Sequence, residues 1–157
     1  MIQVGEKIPA VEVTVASAEG HKKINAVDLF AGKKVVLFAL PGAFTPTCSA
    51  AHLPGYVVQA DALKSKGVDM IACLSVNDAF VMQAWGEGQN AENLTMIADG
   101  GGALTKALGL VLETGDFGGT RSQRYAMVLE DGVVKLLNVE APNRFEVSKA
   151  EVVLNAL

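Results

Sequence analysis

Pro41-Gly42-Ala43-Phe44-Thr45-Pro46-Thr47-Cys48 decides how this chain is read. The residues just before it, Val35-Val36-Leu37-Phe38-Ala39-Leu40, are all apolar, the pattern of a buried strand. From Ser49 onward the chain suits a helix, so the octapeptide is a strand-to-helix turn. A cysteine there sits at the positive end of a helix dipole, near backbone N–H groups that have no partner within the helix. Such positions stabilise a thiolate. Cys48 is therefore a candidate nucleophile, and the rest of the chain is weighed by what it supplies to that sulfur.

Working outward, Val11, Val13 and Val15 alternate with polar residues and follow Pro9, which predicts an edge strand, and Glu19-Gly20-His21 predicts a turn. A short helix over 25–30 ends at Gly32, and a strand over 34–40 leads into the turn. The helix after Cys48 reads as long but interrupted: Pro54-Gly55 predicts a kink, the pattern resumes over 56–66, and Gly67 stops it. Residues 68–76 form a second continuous apolar strand, and Asn77-Asp78 caps a helix that runs to Trp85 and ends in Gly86-Glu87-Gly88. A third strand over 94–98, the turn Asp99-Gly100-Gly101-Gly102 and a helix over 103–108 complete a β-α-β-α-β-α order. That order favours a sheet with parallel members and helices on both faces.

The tail departs from the alternation. Residues 115–119 read as a loop, 124–130 as a strand, Asp131-Gly132 as a hairpin turn and 133–139 as the returning strand. A last helix over 148–157 takes Ser148 as N-cap and Glu151 at the capping-box position. A βαβ unit followed by an antiparallel hairpin and a closing helix is the thioredoxin arrangement, an α/β fold. With no linker, repeat or low-complexity segment, residues 1–157 are expected to form one domain.

Composition narrows the function. The 157 residues are 50% hydrophobic and 19% charged, enough to bury a sizeable core without disulfide staples. A formal charge of −4 and a pI near 5.1 argue against nucleic acid as a partner. No apolar run is long enough to suggest a membrane span, and residues 1–7 lack the apolar core of a signal peptide. The expectation is a cytoplasmic protein. Two cysteines, Cys48 and Cys73, make no disulfide framework, and a reducing compartment keeps both as thiols. His21 and His52 lack a second ligand at zinc spacing, and Gly100 to Gly102 lack the spacing of a nucleotide loop, so neither metal nor cofactor is expected.

An ordinary thiol with a pKa near ~8.5 is about 3% thiolate at pH 7, and a pKa of ~6 makes it about 90%, a gain of roughly thirtyfold. Fast reaction with a peroxide needs more, namely groups that hold the peroxide and stabilise charge on the departing oxygen. Thr45, three residues before Cys48, can bring its hydroxyl near both thiolate and bound oxygen. Backbone N–H groups of Thr47 and Cys48 can donate to the peroxide, while Pro41 and Pro46 stiffen the turn and Pro41 shields the sulfur from water. A fixed cation is still needed. Arg124, at the start of a strand beside the central sheet, is one candidate, and Arg121, in the preceding loop, is a weaker one.

The run PGAFTPTCSAAHLPGY carries the Pro-x-x-x-Thr-x-x-Cys signature. Together with ACLSVNDAFVMQAW and TRSQRYAMVLEDGVVKLLNVE, it closely resembles the type II, or "peroxiredoxin five", group of peroxiredoxins over nearly the whole chain. The resemblance implies a thioredoxin fold with an N-terminal β extension and a mixed central sheet flanked by helices. It also implies a thiol-dependent peroxidase in which Cys48 becomes a sulfenic acid as water or an alcohol leaves, and it implies a homodimer. Carried over by position, Pro41, Thr45, Cys48 and Arg124 match the family's active-site residues, which selects Arg124 over Arg121. The atypical two-cysteine members carry a resolving cysteine near the C-terminus, and residues 142–157 here contain none. Cys73 stands where the plant type II enzymes have their second cysteine. The expected reductant is accordingly external: glutathione with glutaredoxin, or thioredoxin.

Blander roles are weighed beside these. A free cysteine is usually a small buried hydrophobe, and Cys73, in an apolar strand, is read that way. His52, one helical turn after Cys48, is read as a local packing or hydrogen-bonding residue, and Trp85, Phe80 and Met82 as core or interface. Phe44 is read as lining a dimer contact or the substrate mouth. A thioredoxin-type disulfide exchanger would need Cys-x-x-Cys, and the position three before Cys48 is Thr45. A non-catalytic redox sensor of the same fold would tolerate loss of Thr45 or Arg124.

Overall fold

The computed structural model describes residues 1–157. Apolar alternation builds its centre. In strand β3 (Lys34–Ala39), Val36 and Phe38 point into one hydrophobic layer and Val35, Leu37 and Ala39 into the other, so the strand is buried on both faces. It pairs in parallel with β4 (Met70–Ser75), which pairs in parallel with β5 (Thr95–Ala98). On its other side β3 pairs antiparallel with β8 (Tyr125–Glu130), and β8 with β9 (Val133–Val139). This is the mixed sheet of the expected thioredoxin arrangement.

The N-terminal extension differs from expectation. Strand β1 (Glu12–Ser17) is not an edge: it lies between β5 and β2 (Gly20–Asn25), and the full order is β2-β1-β5-β4-β3-β8-β9. The reason is a hairpin turned at Ala18-Glu19, which lays a polar outer strand, GHKKIN, over β1. Two short strands, β6 (Val111–Glu113) and β7 (Thr120–Ser122), pair with each other and bracket the expected loop at 115–119.

Helices cover both faces. Helix α1 (Ala26–Phe30), capped by the side chain of Asn25, and α5 (Ala103–Leu108) pack with the layer that holds Leu37 and Tyr125. Helices α2 (Leu53–Val58), α3 (Ala60–Ser65), α4 (Ala79–Gly88) and α6 (Ala150–Asn155) pack with the layer that holds Phe38 and both cysteines. No helix is long and apolar enough to cross a membrane.

Three local expectations are corrected. The helix after Cys48 is interrupted upstream of Pro54-Gly55, by a π-helical turn over Cys48–His52 in which Leu53 N–H bonds to Cys48 O; a second break falls at Gln59. Pro54 itself sits quietly in the first turn of α2, where its missing N–H costs nothing. Helix α4 runs three residues past Trp85, through Gly86 to Gly88; Gly86 is a helical position where an added Cβ would lie 2.9 Å from Met96 Cγ, so its glycine answers to packing rather than to helix termination. Finally, Ser148 does not cap α6, whose N-cap is Lys149; its N–H and hydroxyl both go to Glu140 instead.

Candidate active site

Cys48 opens the π-turn, fully buried on the layer between sheet and helices. The N–H groups of Thr47 and Cys48 make no backbone hydrogen bond, whereas Ser49 N–H already bonds to Thr45 O. Two free donors therefore sit beside the sulfur, as helix geometry requires of a first turn. Thr45 is half-buried and its hydroxyl donates to Gly42 O at 2.7 Å. That differs from the expected contact with the sulfur: the single hydroxyl proton closes the turn, which leaves the oxygen lone pairs to accept from a visitor.

The late hairpin brings Arg124 across 76 positions of sequence to the sulfur, where Nη2 donates to Cys48 Sγ at 3.3 Å. Arg121 is not at the sulfur. Its Nε donates to Gly118 O at 3.0 Å and its guanidinium packs under the turn, with Nη1 3.2 Å from where a Gly42 Cβ would stand. Pro41 and Thr47 line the cleft above Arg124, together with Leu112, Gln123 and Phe145. Of the expected residues, Pro41, Thr47 and Arg124 share the cleft and Arg124 joins it to Cys48, whereas Thr45 sits in the same turn with its hydroxyl turned to Gly42 O.

His52 has a larger part than local packing. Arg124 Nη1 donates to His52 Nδ1 at 2.8 Å, and His52 Nε2, which then carries the proton, donates to Ser148 O at 3.2 Å. Tyr56 donates to the same carbonyl at 2.7 Å. Burial, reinforced by the neighbouring Arg124 charge, pushes His52 down to about 3, against smaller opposing effects of the Ser148 bond and Glu140. The imidazole is neutral at physiological pH and fixes one arm of the guanidinium while the other faces the sulfur.

Behind His52 lies a clasp. Glu140 Oε2 accepts from Glu146 N–H at 2.7 Å, Ser148 N–H at 2.9 Å and Ser148 Oγ at 2.7 Å. Burial alone would raise this carboxyl, but the Ser148 hydroxyl and N–H, with Glu146 and Val147, outweigh it and the net direction is down. The clasp folds residues 140–148 back so that the Phe145 ring lies 5.7 Å from Arg124 Cζ and 5.1 Å from the His52 ring. Cys73 sits in the interior of β4, opposite Phe38 and Met96, fully buried and unpaired. Burial pushes its thiol well up, and the nearby Cys48 adds to this.

Residues 3–154 match the Redoxin family. Peroxiredoxin-2E-2, chloroplastic, of Oryza sativa subsp. japonica is 49% identical, covering 99% of this chain and 72% of its own length, and Peroxiredoxin-2B of Arabidopsis thaliana is 46% identical, covering 99% and 98%. The chain is a peroxiredoxin of the Redoxin family. Among solved structures, reduced Prx3 of Vibrio vulnificus in complex with H2O2 aligns with this peroxiredoxin at a TM-score of 0.97 and 62% identity, covering 99% of both chains. Peroxiredoxin 5 of Alvinella pompejana aligns at a TM-score of 0.87 and 35% identity, covering 99% and 97%. The peroxiredoxin is a thiol-dependent peroxidase with the thioredoxin fold that the order of its elements led one to expect.

Proposed function

We propose that Cys48 is the sulfur that reduces the peroxide and that Arg124 is the cation that serves it. The observation that carries this reading is the hydrogen bond from Arg124 Nη2 to Cys48 Sγ, formed within a buried turn that leaves two N–H donors free beside the sulfur. Thr45 Oγ accepts the O–H of the incoming peroxide, and the N–H groups of Thr47 and Cys48 donate to its oxygens. The thiolate attacks one oxygen, the S–O bond forms as O–O breaks, and water or an alcohol leaves once its oxygen takes a proton. Cys48 is left as a sulfenic acid. Arg124 and the turn donors compensate charge moving onto the departing oxygen, the kind of preorganised stabilisation that contributes most to many enzymes.

Hydrogen peroxide and alkyl hydroperoxides are the substrates in this reading. It is supported by the Vibrio vulnificus protein solved with H2O2, and by the cleft that opens above Arg124. An external thiol, glutathione with glutaredoxin or thioredoxin, then reduces Cys48, because Cys73 lies buried within β4 and residues 142–157 hold no cysteine. The same reading includes a homodimer with Phe44 at the contact: Phe44 has a left-handed backbone (φ 65°) and is 64% exposed, which displays its ring. A cytoplasmic location belongs to it too, since two free thiols suit a reducing compartment.

Stopped-flow measurement of peroxide consumption tests the mechanism. Arg124→Ala should slow oxidation of Cys48 by about 100-fold or more, the scale seen when one preorganised donor is removed, and Thr45→Val should slow it too, through loss of the acceptor for the peroxide O–H and of the bond to Gly42 O. If both variants react at the wild-type rate, the mechanism as drawn is wrong.

A further inference from the structure

The cleft beside Arg124, which reaches Cys48 through that arginine alone, is larger than a peroxide needs. Two oxygens fill roughly 60 Å³, at about 30 Å³ for each water-sized group, whereas the cleft encloses about 600 Å³. Its far wall is residues 140–145, and this wall is built rather than loose: Glu140 holds three donors of its own segment, and Phe145 packs over Arg124. On the wall stands Arg144. Its one ion pair is with Glu146, at 3.8 Å between side chains 65% and 66% exposed, a pair too long and too wet to hold it firmly. The other charged groups on the cleft are committed elsewhere, Arg124 to Cys48 and His52, and Glu140 to its clasp. Arg144 is thus the cation at the mouth whose donors remain available.

We infer that Arg144 binds a carboxylate of the small thiol that reduces oxidised Cys48, so that the mouth selects a carboxylate-bearing thiol of about tripeptide size. This rests on the Cys48 reading given above. The chemistry balances in two steps. The thiol sulfur attacks the Cys48 sulfenic acid, an S–S bond forms, the S–O bond breaks and hydroxide leaves as water with the thiol's proton. A second molecule of the thiol, as thiolate, then attacks that mixed disulfide, which releases the symmetric disulfide and returns Cys48 as a thiolate. A peroxide is uncharged and is gripped by the turn, so it has no use for Arg144. A peptide thiol bonded to Cys48 passes Arg124, the residue that links the buried sulfur to the cleft, and there meets a guanidinium fork on residues 140–145 that matches a carboxylate.

The test oxidises Cys48 with one equivalent of hydrogen peroxide and then times its reduction by glutathione, by glutathione with both carboxylates esterified, and by 2-mercaptoethanol. Wild type, Arg144→Gln and Glu146→Gln are compared, with mass spectrometry counting the mixed disulfide. The rate ratio of glutathione to 2-mercaptoethanol should fall about fivefold in Arg144→Gln, the scale of one partly exposed charged contact. It should rise in Glu146→Gln, where the competing carboxylate is gone, and the diester should be indifferent to Arg144. An unchanged ratio in Arg144→Gln, or an equal fall with all three thiols, overturns the inference. Should wild-type Cys48 form no sulfenic acid at the first step, the Cys48 reading fails instead, and the two failures are told apart.

Discussion

Acidification should weaken this fold through His52 in particular. Folded, the imidazole stays neutral down to about 3, because burial and then the Arg124 charge disfavour a proton on it. Unfolded, it returns to its ordinary value of 6.5 and takes up a proton as the pH falls. Between those values the unfolded chain binds more protons, so the stability His52 contributes is complete above pH 6.5 and is lost progressively toward pH 3. From pH 7 to pH 5 the difference in proton uptake integrates to about 2 kcal/mol. Glu140, held below its ordinary 4.5, is present in both proteins compared below, so its own titration cancels in the difference. Urea unfolding at pH 7, 6 and 5 under dithiothreitol, on wild type and His52→Gln, reads the effect. Glutamine can still accept from Arg124 and donate to Ser148 O but does not titrate. Wild type should lose about 2 kcal/mol more than the variant over this range; parallel losses in the two proteins would refute a buried, neutral His52.

Other sites carry their own expectations. The Tyr125 hydroxyl is fully buried without a hydrogen-bond partner, so Tyr125→Phe should be neutral or stabilise by about 1 kcal/mol, read as the urea midpoint. Cys73→Ala should leave peroxide turnover intact with every external thiol while costing about 1–2 kcal/mol in urea for the lost core contacts; loss of turnover with all donors would make Cys73 a participant. Glu140→Ala strips three donors of their acceptor and should cost about 2–4 kcal/mol, and stopped-flow should show slower Cys48 oxidation as Phe145 and Ser148 loosen around Arg124 and His52.

The central architecture was legible because its strands announce themselves: β3 and β4 are continuous apolar runs, and Asp131-Gly132 marks the hairpin of β8 and β9. Strand β2 was not, since an outer strand wetted on its exposed side reads as polar loop. Gly86 misled for a different reason. Its meaning depends on Met96 across the core, and only the fold makes them neighbours. Ser148 has the spacing of a helix cap, yet α6 starts one residue later with Lys149 as N-cap, and Ser148 donates its hydroxyl and N–H to Glu140, eight residues earlier, a partner that only the fold brings near. At the site, local spacing singled out the Cys48 turn, whereas Arg124 needed the family resemblance to separate it from Arg121, and the turn of Thr45 toward Gly42 O could not be read from spacing. His52 could be seen but not understood, because both of its partners lie more than seventy positions away. One signal for it was present: a histidine in the turn after the cysteine, on the face that an apolar helix buries.

The wide turn at Cys48–His52 also sets an angle. Each residue advances an α-helix by about 100°, so the residue that this turn absorbs lets the segment before it and the helix after it be rotated independently. The first is keyed to Arg124, with Cys48 facing the guanidinium; the second is keyed to the core, with Leu53 and Tyr56 against the sheet. Removing Ala50 would restore a uniform helix and force the two to share one phase. Either the sulfur would swing away from its arginine or Leu53 and Tyr56 would turn outward, so the spacing between Cys48 and Leu53 acts as the adjustment that lets reactivity and packing be satisfied on a single helix.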